Sequence, residues 1–294
     1  MTLDEFHIMQ MSDIHDAALI ERGLHPEYAS ISYLEKYAAT VEAKGITEGV
    51  EQVEKEIKKS VAEEMKLVLS DYIFAAFIHK LVSNPDELFI YKKQFTCYLA
   101  AQSFFSYAFR AAHQDLSTLM FCKRTGKVYY SNYIMNNMGS EGAAPLVPFR
   151  LTPNLQFFMT PIGIEGPFAG AITAAALCLQ RKKRLYFCGY LALFYRDLLD
   201  DCRDLNVAKA ISENFDRTLS NISGLVDFEI VEKLFKSRHA VFKTEKMPGG
   251  EEKREELGEK SYWACFNQKT GSLIKEAQDP ALLNEMPLAW APWF

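Results

Sequence analysis

The stretch HQDLSTLMFCKRTGKVYYSN, residues 113–132, combines four short elements in one order. A polar loop leads into an apolar run at 119–122, and a turn at Thr125 and Gly126 separates that run from a second one at 128–132. Short apolar and aromatic runs on either side of a glycine-containing turn predict two antiparallel strands. The sequence therefore predicts a small β-hairpin near the middle of the chain.

The chain before this hairpin has the pattern of a helical domain. Residues 30–82 carry charges at helical spacing beside an apolar stripe, which predicts helix with one buried edge. Asn84 and Asp86 are candidate caps for the next helix. Residues 95–109 are apolar nearly all round, which predicts a helix in the middle of a domain.

The second half of the chain continues in the same way until its composition changes. Helices are predicted at 169–179 and 190–201. The run EKMPGGEEKREELGEK, residues 245–260, is charged and contains two adjacent glycines, which predicts a linker. An aromatic segment that ends in AWAPWF follows it. We expect three parts: a main domain over 1–225, a helix and linker over 226–260, and a C-terminal domain over 261–294.

The overall composition limits the classes of function. The chain has 294 residues, 49% of them hydrophobic, and a formal charge of −5, so it can form a large core but is a poor match to a nucleic-acid binder. Its six cysteines form no CxxC pair, which gives no zinc or redox signal. The acidic N-terminus is unlike a signal peptide, and the longest apolar run, 169–179, is too short to span a bilayer. We expect a cytosolic or nuclear protein.

Several phrases in the same order carry a family resemblance. QFTCYLAAQ (94–102), LMFCKRTGK (119–127), VPFRLT (147–152) and IGIEG (162–166) resemble segments of the phosphatidylinositol 3-kinase-related kinases. The resemblance implies the C-terminal lobe of that kinase fold: mostly α within an α+β class, with a small β-hairpin and a helical FATC tail. This register also aligns residues 113–132 with the family's catalytic loop, G-D-R-H-P-S-N, and with its H-I-D-F-G segment.

The residues at the catalytic positions differ from those of active members. By this resemblance His113 stands at the loop's catalytic Asp, Asp115 at its His, Thr118 at its metal-binding Asn, and Asn132 at the Asp of D-F-G. Phosphoryl transfer uses a carboxylate to orient the hydroxyl and further oxygen ligands to hold magnesium. A register that makes Asp115 the base puts Met120 at the metal position. The resemblance therefore implies a pseudokinase with no catalytic, cofactor-binding or metal-binding residues.

Two longer phrases point to one branch of the family. PFRLTPNLQFFMTPIGIEGP (148–167) and SYLEKYAATVEAKG (32–45) resemble the pseudokinase branch, the transformation/transcription domain-associated protein (TRRAP) family. That resemblance implies a nuclear scaffold region of histone acetyltransferase complexes of the SAGA and NuA types. Its partners would be acetyltransferase subunits and transcription activators, with no direct contact to nucleic acid or membrane.

The tail LIKEAQDPALLNEMPLAWAPWF, residues 273–294, resembles the FATC segment of these proteins. The resemblance implies a short helix and an aromatic end that pack against the kinase lobe. The packing residues would be Leu273, Ile274, Trp290, Pro292, Trp293 and Phe294. The alternative is that the aromatic end enters a membrane interface, which the acidic net charge disfavours.

Other interpretations remain open at this stage. The chain could be a divergent active kinase of protein or lipid with a non-standard metal site, or a regulatory fragment that binds a true kinase's lobe. His113 and Asp115 could merely satisfy a turn, and Asn132 could make a structural hydrogen bond. The cluster RKKR, 181–184, is either a solvated turn or an import or partner-binding patch. Arg150 is expected to anchor a buried carboxylate.

Overall fold

The computed structural model describes residues 7–44, 50–110, 115–131, 146–161, 163–180, 193, 205–225 and 259–294. These residues form a mostly helical domain with a small sheet, which confirms the predicted fold class. The elements in chain order are β1 (Ile8–Gln10), α1 (Met11–Glu21), α2 (Tyr28–Lys44), α3 (Val50–Val68), α4 (Ile73–Leu81), α5 (Pro85–Phe109), β2 (Leu119–Cys122), β3 (Val128–Tyr130), α6 (Pro153–Met159), α7 (Ala169–Gln180), α8 (Leu205–Gly224), α9 (Glu259–Gln278) and α10 (Pro280–Glu285). A π-turn, Ile164–Phe168, precedes α7, and a 3-10 turn, Leu288–Trp290, follows α10.

The predicted hairpin is present as β2 and β3, which pair antiparallel with Phe121 opposite Val128. Gly126 takes a positive φ of 71° in the turn, and its N–H donates to the Cys122 carbonyl at 2.8 Å. The sheet has a third strand that the sequence did not predict. β1 pairs antiparallel with β2, with Met9 opposite Phe121, so the sheet order is β1-β2-β3.

The long helix α5 runs through the middle of the domain, as its apolar surface predicts. It begins at Pro85, so the predicted start near Asn84 and the predicted apolar helix over 95–109 belong to one helix. The Asn84 side chain caps this helix by accepting from the Asp86 N–H at 3.0 Å. Pro85 occupies the first helical position, where a missing N–H carries no cost. The helix ends at Arg110 in a left-handed conformation, and its buried residues include Leu99 and Ala100.

The region predicted as helix over 30–82 consists of three helices, α2, α3 and α4, with an interruption at residues 69–72. The charged helix α3 buries Ile57, Val61 and Met65, whereas Val50 at its start is 40% exposed. The predicted apolar stripe is therefore buried along its centre but not at its N-terminal end.

Aromatic side chains join the helices to the sheet in the core. The Phe74 ring of α4 lies with its centroid 5.3 Å from that of Phe95, 5.4 Å from that of Phe121 and 4.7 Å from that of Phe158. Edge-to-face rings at such distances add to the free energy of area burial. The cluster fixes α4, α5, α6 and β2 relative to one another.

Some sequence predictions lie outside the described residues. These are the basic cluster at 181–184, nearly all of the helix at 190–201 and most of the linker at 245–260. The linker prediction extends too far at its end, because α9 already begins at Glu259. Within the described residues, no helix is long and apolar enough to cross a membrane.

Candidate functional site

The aligned catalytic loop is only partly described. His113 and Asn132 lie outside the described residues, whereas Asp115 and Thr118 lie within them. Both the N–H and the hydroxyl of Thr118 donate to the Asp115 carbonyl, at 3.0 Å and 2.8 Å. The Thr118 carbonyl accepts from the Ser131 N–H at 2.8 Å. Thr118 therefore closes a turn and ties the loop to the end of β3.

Arg150 connects this loop to the end of the chain. Its side chain is fully buried, and burial lowers the pKa of Arg150 to about 10, while nearby Tyr130 and Asp115 act in the opposite direction. The guanidinium stays charged at neutral pH and must be compensated by acceptors. The hydrogen bonds described for Arg150 go to main-chain carbonyls, and its anchoring of a buried carboxylate stays a prediction.

Those carbonyls belong to residues 290–294, which we call the C-terminal hook. Arg150 Nη1 donates to the Trp290 carbonyl, and Nη2 donates to the Ala291 carbonyl at 3.0 Å. The guanidinium carbon lies 4.3 Å from the centre of the Trp290 ring, which is a cation–π contact. Ala291 adopts a left-handed φ of 47°, so the chain turns here and presents both carbonyls to one side chain.

Two more polar side chains hold the last residues of the hook. The Thr152 hydroxyl donates to a main-chain oxygen of Phe294. The Trp293 indole N–H donates to His15 Nε2 at 3.3 Å, and the His15 ring meets the Phe294 ring edge-on at 5.2 Å. Burial lowers the pKa of His15 despite its hydrogen bond to Asp16, so the ring is neutral and Nε2 accepts.

The predicted FATC packing residues all lie in the interior. Leu273, Ile274, Trp293 and Phe294 belong to the main hydrophobic core. Trp290 packs in a smaller cluster with Val147, Leu283 and Met286, and Pro292 is also buried. Because Trp293 is 1% exposed and Phe294 0%, the aromatic end in this structure is not available to a membrane interface.

The sequence reasoning did not identify His15 and Thr152 as partners of the hook. Thr152 lies two residues after Arg150 in the same PFRLT phrase, and this proximity in sequence is the signal that could have indicated it. His15 lies 278 residues from Trp293, and nothing in its local sequence indicates that contact.

The described contacts of this region fix the C-terminal hook to the rest of the domain. The hook is held by the charged group of Arg150, the Thr152 hydroxyl and the His15 ring. These residues come from two parts of the chain, the PFRLT phrase and α1. Among the described residues, no three His, Cys, Asp or Glu side chains cluster in a way that would hold a metal ion.

Comparison with known proteins gives relatives in one family. The chain is 28% identical over 178 residues to the transformation/transcription domain-associated proteins of Mus musculus and Homo sapiens, which covers 59% of this chain. It is 23% identical over 231 residues, 77% of this chain, to the SAGA complex/NuA4 acetyltransferase complex subunit Tra1 of Schizosaccharomyces pombe. The chain spans less than a tenth of the length of these relatives, between 4% and 7%.

The fold also matches solved structures. The FAT and kinase domain of CtTel1 superposes with a TM-score of 0.60 at 16% identity, over 98% of this chain and 17% of that one. The complete CtTel1 dimer matches with a TM-score of 0.59. At this identity the likeness shows the fold alone. No family model matches the chain.

Proposed function

We propose that this chain acts as a scaffold region of a histone acetyltransferase complex. The premise is that the chain is the C-terminal region of a TRRAP-family protein, among the phosphatidylinositol 3-kinase-related kinases. The observation that carries the proposal is the similarity to Tra1, which is named as a subunit of the SAGA and NuA4 acetyltransferase complexes. The proposed partners are complex subunits and transcription activators, and the proposed location is the nucleus.

The pseudokinase assignment is part of this proposal. Residue identity supports it. His113 and Asn132 stand where active relatives carry aspartates, and Thr118 stands where they carry a metal-binding asparagine. It is further supported by the Thr118 hydroxyl, which donates to the Asp115 carbonyl within its own turn. The proposal includes no cofactor, no direct contact with nucleic acid and no membrane contact.

The proposed domain division follows the sequence: a pseudokinase lobe over 1–225, a connecting segment over 226–260 and a FATC domain over 261–294. The C-terminal hook supports a refinement of this division. Because Trp293 and Phe294 share one core with the lobe, the FATC part is proposed to depend on the lobe for its fold.

Affinity purification from the source cells tests the scaffold proposal. The tag is placed away from Phe294, because that residue is fully buried. Co-purification of acetyltransferase subunits, identified by mass spectrometry, supports the proposal. Recovery of the chain alone, or together with an intact kinase, overturns the assignment to an acetyltransferase complex.

The alternative from another class is a divergent protein or lipid kinase. The test is hydrogen exchange around Asn132 with and without Mg-ATP, together with a phosphorylation assay on the purified native assembly. Protection of this segment, together with phosphate transfer by the unsubstituted chain that carries His113 rather than Asp, would establish the kinase. The scaffold proposal predicts neither protection nor transfer.

A further inference from the structure

A groove between the C-terminal end of α5, the C-terminal half of α8 and the helix α9 lies outside the site described above. We call it the arginine groove. It has a volume of about 370 Å³ and is lined by Tyr107, Arg110, Arg217, Asn221, Leu273 and Glu276 among others. This volume is within the range of sites that bind small groups. The groove joins two guanidinium groups from helices that are far apart in sequence.

Arg110 is the more unusual of the two arginines. It terminates α5 with φ 51° and ψ 48°, a left-handed conformation that glycine or asparagine normally supplies. Burial, and after it the charge of Arg217, lowers the pKa of Arg110. Arg110 forms no hydrogen bond or ion pair through its side chain with any described residue. A half-buried cation is thus held beside another cation, and the carboxylate of Glu276 lines the same groove without a described ion pair to Arg110.

The remaining polar groups of the groove have defined roles. Arg217 is paired with Glu213 on its own helix at 3.7 Å, and both side chains are more than half exposed, so this pair is weak. The Asn221 amide donates to the Tyr107 carbonyl at 3.3 Å and has a second N–H. Burial, and after it the charge of Glu276, raises the pKa of Tyr107, so its hydroxyl stays protonated and is a donor.

We propose that the arginine groove binds a phosphorylated serine or threonine side chain of a partner protein. Two guanidinium groups from different helices match a phosphate dianion, whose three oxygens accept from several donors at once. A carboxylate carries one charge, which one arginine can satisfy. Among the described residues the groove is open to solvent and adjoins α9, so a peptide segment can present such a side chain to it.

This inference rests on the proposed function only in taking the occupant to be a protein. The experiment uses the 294-residue chain and three degenerate peptide pools with phosphoserine, serine or glutamate at the fixed central position. We expect the chain to retain the phosphoserine pool about tenfold or more above the serine pool, because hydrogen bonds to charged groups are strong. Since no complex subunit is present, failure here leaves the acetyltransferase proposal untouched.

Variants assign the binding to the groove. Arg110→Gln and Arg217→Gln are each expected to reduce retention of the phosphoserine pool about tenfold. Arg124→Gln is the matched control, because Arg124 is an exposed arginine in the hairpin turn and its substitution makes the same change in charge. Circular dichroism of all three variants verifies that each is folded.

Two conditions separate a phosphate ligand from other anions. The second pKa of a phosphoserine is near 6, so retention is expected to fall between pH 7.5 and pH 5, whereas retention of the glutamate pool stays nearly constant. Equal retention of the phosphoserine and serine pools, or an equal loss in Arg124→Gln, overturns the proposal. Binding of inorganic phosphate or of phosphoinositide vesicles without retention of phosphopeptides overturns the partner-protein assignment.

Discussion

The guanidinium of Arg150 lies 4.3 Å from the centre of the Trp290 ring while its two terminal nitrogens donate to the carbonyls of Trp290 and Ala291. One buried cation thereby compensates two main-chain acceptors and covers an aromatic face. A lysine offers neither the planar fork nor the stacking surface. The PFRLT phrase that carries the family resemblance is therefore also the attachment point of the C-terminal hook.

Substitution of Arg150 is expected to release the hook. Arg150→Met removes the donor to the buried Trp290 carbonyl and one of two donors to the Ala291 carbonyl, which also accepts from the Phe294 N–H at 3.1 Å. We expect this to cost about 1–3 kcal/mol of unfolding free energy. Arg150→Lys keeps the charge but not the fork, so we expect a smaller loss. Urea denaturation measures both losses, and a red shift of tryptophan emission reports exposure of Trp290 and Trp293. Arg124→Met, at an exposed position, is the control, and a loss as small as the control's would contradict this role for Arg150.

The contact between His15 and Trp293 predicts a pH dependence of stability. The unfolded chain takes up a proton on this histidine near pH 6.5, whereas the folded chain does so only at lower pH because burial lowers the pKa of His15. The stabilisation is therefore present above pH 6.5 and is lost as the pH falls through the lowered pKa. Asp16 favours the protonated ring and Arg150 opposes it.

His15→Gln measures this effect, because glutamine accepts the Trp293 N–H without titrating in this range. We expect the wild-type chain to lose unfolding free energy relative to His15→Gln between pH 7.5 and pH 5. His79→Gln, at an exposed position, makes the same substitution without the Trp293 contact and is the control. Parallel pH profiles for the wild type and His15→Gln would count against a neutral, accepting ring.

The Glu64 carboxylate predicts a second, more acidic dependence. Hydrogen bonds from Lys36, Tyr28 and Ser32 connect α2 to α3 through this residue, and they lower the pKa of Glu64 to about 2. The stabilisation is present above pH 4.5 and is lost as the pH falls toward 2. Because the cluster is partly exposed and screened, its size is about 1 kcal/mol or less.

Denaturation of Glu64→Gln at pH 7 and pH 3 tests this expectation. The substitution should cost more at pH 7 than at pH 3, and less in high salt. Glu63→Gln is a matched control one position earlier, on the exposed side of α3. Equal costs for Glu64→Gln and Glu63→Gln at pH 7 would show that the cluster adds no stability.

Local sequence patterns were sufficient for the elements whose contacts are local. The hairpin strands follow from apolar runs around Gly126, and the Asn84 cap follows from its place before Pro85. Each of these depends on residues within a few positions of one another, which is the range over which periodicity and capping preferences act.

The contacts that fix the tail depend on residues far apart in sequence. Strand β1 has only three residues and pairs with a strand more than 100 positions away, so no hydrophobic pattern could identify it. Arg150 was singled out, but its acceptors are main-chain carbonyls near position 290, and any residue type supplies those. Long-range main-chain contacts leave no signature in the residues that make them.

Gly126 in the hairpin turn and Gly23 in the turn after α1 have nearly equal φ and can be compared. Gly126 has φ +71°, and a Cβ added there would lie 2.9 Å from the Tyr91 carbonyl oxygen and 3.2 Å from its ring. Gly23 has φ +74°, and a Cβ added there would meet nothing within 4 Å. Both substitutions impose the same backbone strain, so the difference between them isolates the steric contact.

Gly23→Ala is expected to cost about 1–2 kcal/mol from the left-handed conformation alone. Gly126→Ala is expected to cost about 1–3 kcal/mol more than Gly23→Ala, because the Tyr91 carbonyl belongs to α5 and cannot move without displacing the central helix. Tyr91 also donates its hydroxyl to the Cys122 carbonyl at 3.2 Å, so the displacement would strain the anchor of β2 on α5. Chemical denaturation of the two variants under one condition measures the difference. Equal losses would mean that the turn moves away from α5 without cost, and that Gly126 is required only for its φ.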